Sequence, residues 1–310
     1  MKAEKPKRLK KADGRTILRR GAVLVLLLVF LVSGTKVLLE MLDYRRGEES
    51  YGEAEKLANL PDLSLLPTPA PVPSAKPSDL APTPTAGESP APDPTPTPYT
   101  DPYAAALSAM DFAALREVNG EVIGWLVIPG TQVSYPLLQG EDNSYYLTRT
   151  WKGEKSAVGA IFLEHTNSAD LSDFHTIVYG HNMKNGSMFG ALQNYRDAAY
   201  LAAHPSVYLT VDGGSYRYDI FAVYEASVDS STYQIGFSGE ESRQAFLDDC
   251  LSRSGLSTEV TPHTYDRILT LSTCTPASSK DSRWVVQAVW AGEPPPEESP
   301  PPEETAQPEP

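Results

Sequence analysis

Proline, more than any other residue, limits where this chain can fold into a compact domain. Fourteen of its 28 prolines lie between Pro61 and Pro102, eight follow Gly292, and only five lie in residues 103–292. A stretch so rich in Pro, Thr, Ser and Ala cannot bury a core. It is expected to be an extended polyproline-like spacer of on the order of 130 Å. The sequence therefore predicts one globular domain, residues 103–292, behind a long linker.

An apolar stretch precedes the linker. Residues 1–20 carry nine Lys or Arg against two acids, and residues 21–39 are mostly Val, Leu, Ala and Phe. Nineteen residues give about 28 Å of helix, close to the roughly 30 Å core of a bilayer, provided that Lys36 reaches the interface. The basic flank favours an N-terminus in the cytoplasm. We predict an uncleaved transmembrane signal anchor with the domain outside; a signal peptide cleaved near Ser33-Gly34 is the alternative.

Charge separates the remaining segments. Residues 40–102 begin with a charged stretch that could form a short juxtamembrane helix and continue into the linker, and residues 293–310 form an acidic, Pro-rich tail that we expect to be disordered. The predicted domain, residues 103–292, has 12 basic and 21 acidic residues, and this negative balance argues against binding to nucleic-acid phosphates. Two cysteines, Cys250 and Cys274, are too few for a disulfide scaffold.

Hydrophobic patterning predicts a mainly β domain. One helix is expected from Asp101-Pro102, a cap and a first-turn proline, to Asn119-Gly120, and a second from Gly239 to Ser254. Runs of β-branched and aromatic residues predict strands at 122–128, 133–138, 160–163, 176–179, 206–211, 216–225, 267–273 and 283–290. Many antiparallel strands with few helices favour a barrel or a sandwich.

The seventh predicted strand ends in a cysteine. Arg267-Ile-Leu-Thr-Leu-Ser-Thr-Cys274 is an apolar, β-branched run that Pro276 stops. A cysteine at a strand end can be held rigidly and still meet a substrate. Most free cysteines are small buried hydrophobes, so a catalytic interpretation needs a base and a cation nearby.

Two residues can supply that base and cation. His181 follows the strand Thr176-Ile-Val-Tyr179 and a glycine, so its ring projects from a strand end. Arg283 opens the last strand, nine residues after Cys274, and an antiparallel pair would place the two side by side. Histidine can activate a thiol and protonate a leaving amine, and a guanidinium can stabilise an oxyanion. The other four histidines are interpreted as surface or structural residues.

These residues and the blocks around them resemble the sortases, and among them class B. The matching blocks are Val118-Asn-Gly-Glu-Val-Ile-Gly-Trp-Leu-Val-Ile-Pro-Gly130, Tyr135-Pro-Leu-Leu-Gln-Gly140, Asp142-Asn-Ser-Tyr-Tyr-Leu147, Tyr179-Gly-His-Asn-Met183 and Thr270-Leu-Ser-Thr-Cys274. Each block alone is weak, but the ordered set covers the domain from Val118 to Trp290. The resemblance implies an eight-stranded sortase-type β-barrel with an N-terminal helix and a helix before the catalytic Cys strand.

The resemblance also implies an activity, transpeptidation. Cys274 would attack a threonyl carbonyl in a sorting motif of a secreted protein, with His181 as general acid and base and Arg283 binding substrate and stabilising the oxyanion. The resemblance places five further residues in a substrate groove: Asn143, Leu147, Tyr179, Tyr233 and Ser272. Leu147 and Tyr233 could instead be packing residues. The acceptor would be an amine of a peptidoglycan precursor, and no metal or cofactor is expected.

Several alternatives remain open from the sequence. A pilus-assembling sortase would differ only in using a pilin lysine as acceptor. A non-catalytic, wall-spanning β module would not need His181, Cys274 and Arg283 together. A cysteine L,D-transpeptidase would need a Ser-x-Gly-Cys block, where this chain has Leu-Ser-Thr-Cys. Cys250 is expected to be buried and inert.

Overall fold

The computed structural model of the chain describes residues 14–66, 101–212, 214–274 and 281–292. Most of the predicted cytoplasmic segment, most of the Pro-rich linker and the predicted acidic tail lie outside the described residues. The chain divides into two units, Met1–Glu49 and Ser50–Pro310.

The first unit contains most of helix α1, which spans Gly14–Leu57. Within the described residues, α1 is the one helix that is long and apolar enough to cross a membrane. Its side chains from Val23 to Leu39 are largely exposed, as contact with lipid would require. The charged stretch that could form a short juxtamembrane helix is helical as far as Leu57, and it continues α1 although Gly47 and Gly52 lie within it.

The second unit is built on a closed eight-stranded barrel. Its strands are β1 Val122–Val127, β2 Ser134–Leu138, β3 Ile161–Leu163, β4 His175–Tyr179, β5 Ser206–Val211, β6 Gly214–Ser227, β7 Ile268–Cys274 and β8 Ser282–Trp290. All eight predicted strands are therefore confirmed, as is the barrel fold. The order around the barrel is β1-β2-β3-β4-β7-β8-β6-β5.

Two of the barrel pairings depart from the antiparallel pattern that the sequence suggested. Strands β2 and β3 are parallel, and so are β4 and β7. Parallel neighbours need a long crossover, and the 88 residues between Tyr179 and Ile268 supply one that contains β5, β6 and two α-helices. This pairing sets the end of β4 beside the end of β7.

The remaining helices of the second unit are short except for one. They are α2 Pro102–Leu107, α3 Ala113–Val118, α4 Ala198–Ala203 and α5 Glu240–Arg253. The predicted second helix is confirmed as α5. The prediction of one helix across 101–120 is wrong: α2 ends at Leu107, and the Asp111 carboxylate accepts a hydrogen bond from the Ala113 backbone N–H at 2.9 Å, an Asx turn that precedes α3.

The core fills the barrel and also covers the outer surface of the barrel where helices pack on it. Trp125, Trp151 and Phe162 are fully buried in the main cluster, and the end of α1 adds Tyr51 and Ala54 to the same cluster. The second compact unit thus begins at Ser50, well before the linker. A second cluster lies where α5 covers β6, β7 and β8. Its members include Phe246, Leu247 and Cys250 of α5.

Candidate active site

The parallel pairing of β4 with β7 places His181 next to the cysteine strand. Tyr179 is the last residue of β4 and is the register partner of Ser272 in β7. The Gly180 backbone N–H then donates to the Ser272 carbonyl at 3.2 Å. A Cβ at Gly180 would lie 2.4 Å from Ile161 Cδ1 and 2.7 Å from Phe189, so only glycine fits between the strand and His181.

The ring of His181 rests against the backbone of Gly159. A Cβ at Gly159 would lie 2.6 Å from His181 Cδ2, and Gly159 has a φ of +66°, which glycine adopts without strain. The Nε2 of His181 lies 2.5 Å from the Leu147 carbonyl oxygen. Because a carbonyl oxygen only accepts, Nε2 carries the proton of this hydrogen bond. The ring is therefore held in one orientation by backbone groups on both sides.

Cys274 and Arg283 are direct neighbours across an antiparallel pair. Cys274 is the last residue of β7, and its register partner in β8 is Arg283. The other neighbour of Arg283 is Ala226 in β6. The guanidinium of Arg283 is half-buried and donates to the Ser282 carbonyl at 3.0 Å. A cation at the register position of the cysteine is what the catalytic interpretation of Cys274 requires.

A cleft of about 290 Å³ opens at these strand ends. Its walls contain seven of the eight residues singled out in the sequence: Asn143, Leu147, Tyr179, His181, Tyr233, Ser272 and Arg283. The eighth, Cys274, directly follows Thr273, which also lines the cleft. Leu147 is 40% exposed, so core packing does not account for its position. The structure thus brings together the residues that the sequence analysis selected; their catalytic and binding roles stay predictions.

One wall of the cleft is held by a buried carboxylate that the sequence pattern did not single out. The side chain of Glu164 is 9% exposed and accepts hydrogen bonds from Asn143 Nδ2 at 2.5 Å and from the Tyr179 hydroxyl at 2.9 Å. His165 also pairs with it through Nδ1 at 2.7 Å. Burial and the nearby Glu164 raise the pKa of Tyr179, which therefore stays a donor. The signal in the sequence that could have identified Glu164 is its position as an acid directly after the buried strand Ile161–Leu163.

Beside Tyr179, a second aromatic ring is joined to β7. The Tyr233 hydroxyl lies 2.8 Å from the Ser272 hydroxyl. The ring of Tyr233 stacks on Tyr179, with centroids 6.5 Å apart and planes 15° from parallel. Tyr233 comes from the 3-10 turn Ser231–Tyr233 in the crossover between β6 and β7. The cleft thus combines aromatic faces with hydroxyl and amide groups, a surface suited to an extended peptide.

The structural interpretation of the other histidines agrees with their contacts. His175 is buried and bonded through Nδ1 to the Gln234 carbonyl and through Nε2 to the Thr270 hydroxyl, and burial lowers its pKa to about 4. His204 Nδ1 lies 2.9 Å from the Pro129 carbonyl. Neither histidine lines the cleft.

Cys250 is buried, as predicted. Its thiol is free, and the Tyr224 hydroxyl donates to its sulfur at 3.5 Å. Burial raises the pKa of the thiol to about 11, so little reactive thiolate exists at neutral pH. Of the two cysteines, Cys250 is therefore unsuited to act as the nucleophile.

Known protein families and relatives match the part of the chain that forms the barrel and the cleft. The sortase domain family matches residues 126–291. Among curated relatives, the sortase B of Listeria monocytogenes is 38% identical over 174 residues, which cover 56% of this chain and 71% of the relative.

Solved structures of class B sortases are also similar to this chain. A sortase B from Bacillus anthracis matches with a TM-score of 0.59 and 28% identity, over 81% of this chain and 98% of that one. A Staphylococcus aureus sortase B–substrate complex matches with a TM-score of 0.55 and 30% identity, over 58% and 83%.

Proposed function

Because this chain belongs to the sortase family, and within it to class B, we propose that Cys274, His181 and Arg283 are its catalytic residues. The protein is a cysteine transpeptidase, which cleaves a sorting motif and transfers the upstream protein through a thioacyl intermediate. Family membership disfavours the two interpretations from other classes, the non-catalytic β module and the L,D-transpeptidase. The assignment of the three residues rests on one observation, the register pair of Cys274 and Arg283 beside the cleft that contains His181.

The first half of the reaction forms the thioacyl enzyme. The Cys274 thiolate attacks the carbonyl carbon of the scissile bond, and a C–S bond forms while the carbonyl electrons move onto oxygen. Arg283 stabilises that oxyanion. His181 donates a proton to the leaving amine, the C–N bond breaks, and the thioester of the upstream protein remains on Cys274.

The second half of the reaction releases the product. An acceptor amine attacks the thioester, and His181 accepts a proton from the attacking nitrogen. The C–S bond breaks, Cys274 returns as thiolate, and a new amide bond joins the two partners. The acceptor that we propose is an amine of a cell-wall peptidoglycan precursor; a pilin lysine is the alternative that the sequence left open.

The groove residues would bind the sorting motif in an extended form. Asn143 and Tyr179 are held in place by Glu164, so their polar groups are oriented before a peptide arrives. Tyr233 and Ser272 hold each other beside Tyr179. We assign Leu147, which is exposed on the cleft wall, as an apolar contact for the motif.

Helix α1 is a candidate membrane anchor, and the proposed topology places residues 1–20 in the cytoplasm and the barrel outside. Nine basic residues before the apolar stretch support that orientation. The substrates are secreted proteins that carry a C-terminal sorting signal. A catalytic domain outside the membrane would meet them there.

A peptide library tests the assignment. Quenched fluorescent sorting-motif peptides are incubated with the purified full chain in detergent micelles, with and without candidate amines. We expect motif-dependent cleavage, and transfer when the acceptor is present. Cys274→Ala should abolish turnover, whereas Cys250→Ala should retain most of it because Cys250 lies on the buried face of α5, away from the cleft. Cleavage that persists in Cys274→Ala would overturn the proposal.

A further inference from the structure

The last turns of α1 are built into the second unit. Tyr51 and Ala54 are buried at helical spacing, and the Trp151 indole N–H donates to the Ser50 carbonyl at 2.9 Å. Lys152 Nζ forms an ion pair with Glu53 at 2.6 Å. These contacts fix the end of α1 against Trp151 and Lys152, which precede Gly159 in the chain.

The hydroxyl of Tyr51 reaches the backbone that supports the catalytic histidine. It donates to the Gly159 carbonyl oxygen at 2.6 Å, across 108 residues of sequence. Gly159 is the residue on which the His181 ring rests, since a Cβ there would lie 2.6 Å from the ring. One peptide unit therefore lies between the hydroxyl of Tyr51 and the imidazole.

The ring of Tyr51 leads to the same histidine by a second route. It packs edge-to-face on Tyr135, with centroids 5.1 Å apart. The Tyr135 hydroxyl accepts a hydrogen bond from the Met188 backbone N–H at 2.8 Å. The next residue, Phe189, donates its N–H to the His181 carbonyl at 2.9 Å. The first route, through Gly159, ends at the ring of His181. The second, through Tyr135 and Phe189, ends at its backbone carbonyl.

We propose that Tyr51 is a positioning residue for His181, and that the helix carrying the candidate membrane anchor completes the active site by fixing the Gly159 peptide under the imidazole. This inference rests on the catalytic role proposed for His181. A buried carbonyl that loses its donor relaxes toward another partner, and the ring that rests on it moves with it. Displacement by a fraction of an ångström is enough to slow proton transfer.

The chain contains a matched control for this inference. Tyr103 is also buried, donates its hydroxyl to the backbone carbonyls of Leu63 and Leu66, and stacks on Tyr208 with centroids 5.5 Å apart. Its hydroxyl contacts lie near the start of the linker, and Tyr103 does not line the cleft. Replacing either tyrosine by phenylalanine removes one hydroxyl and keeps the ring.

The experiment compares Tyr51→Phe with Tyr103→Phe in the full chain in detergent micelles. In Tyr51→Phe we expect kcat for a sorting-motif peptide to fall about tenfold with KM within twofold, because proton transfer and not peptide binding is disturbed. The His181 imidazole pKa, measured by NMR, should fall as its bond to the Leu147 carbonyl weakens. Tyr103→Phe should change neither quantity, although both variants lose comparable thermal stability.

The inference is wrong if Tyr51→Phe matches Tyr103→Phe in both kcat and the His181 pKa. If the wild-type chain cleaves no peptide, the proposed function fails, and the NMR comparison alone still decides whether Tyr51 positions His181.

Discussion

Gly159 gives the sharpest test of how His181 is held, through the variant Gly159→Ala. The added Cβ would lie 2.6 Å from His181 Cδ2, whereas ordinary contact begins at 3.4 Å, so the ring must move by about 0.8 Å. The Tyr146 carbonyl, 3.0 Å from the same Cβ, blocks an escape of the loop in that direction. A displacement of that size should break the 2.5 Å bond from His181 to the Leu147 carbonyl.

The expected loss in rate follows from that displacement. A misplacement of about 1 Å costs roughly 100-fold in rate, which is about 2.7 kcal/mol in the activation free energy. Alanine at a positive φ also destabilises the fold by about 1 to 2 kcal/mol, and this part must be separated from the effect on catalysis.

Gly153→Ala is the matched control for this prediction. Gly153 has a φ of +79°, close to the +66° of Gly159, but a Cβ there would meet only the Tyr145 hydroxyl at 3.5 Å. Both variants should lose similar unfolding free energy in chemical denaturation, while only Gly159→Ala loses about 100-fold in kcat on a sorting-motif peptide. If the two variants retain kcat within twofold of each other, the argument that Gly159 positions His181 is refuted.

Two further predictions address the cleft wall and the core. Glu164→Gln replaces the carboxylate that holds Asn143 and Tyr179, so KM for a sorting-motif peptide should rise about tenfold with a smaller change in kcat; an unchanged KM would contradict the role of this network. Burial lowers the pKa of His175 in the folded protein to about 4, from the usual 6.5, so the folded state binds fewer protons between these values. The unfolding free energy should therefore have its full value above about pH 6.5 and fall by a few kcal/mol toward pH 4. Denaturation curves across this range for wild type and His175→Gln check it, and parallel pH dependence in both would exclude His175 as the cause.

The strands of the barrel could be predicted because their signals are local. Alternating β-branched and aromatic runs bounded by Pro, Gly and Asp mark each of the eight strands. The short loop between Cys274 and Arg283 also allowed only a neighbouring antiparallel pair, which the register confirms. The break between α2 and α3 was missed because Asp111 forms an Asx turn within an otherwise helical pattern.

The features that the sequence did not reveal depend on contacts between distant residues. Glu164 acquires its partners Asn143 and Tyr179 only when three separate segments meet at the cleft. Tyr51 contacts Gly159 across 108 residues of sequence. No local pattern in the charged stretch of residues 40–60 therefore indicated that the end of this stretch belongs to the core. The parallel pairing of β4 with β7 likewise requires a crossover whose path no local pattern encodes.

The central claim is that Cys274 carries the acyl group, and trapping the intermediate tests it most directly. The full chain is incubated with a sorting-motif peptide without an acceptor amine, quenched in acid, and examined by intact-protein mass spectrometry and peptide mapping. We expect an increase in mass equal to the acyl fragment, located on Cys274, released by added amine, and absent in Cys274→Ala. An adduct on Cys250, or peptide cleavage with Cys274 replaced by alanine, would contradict the account.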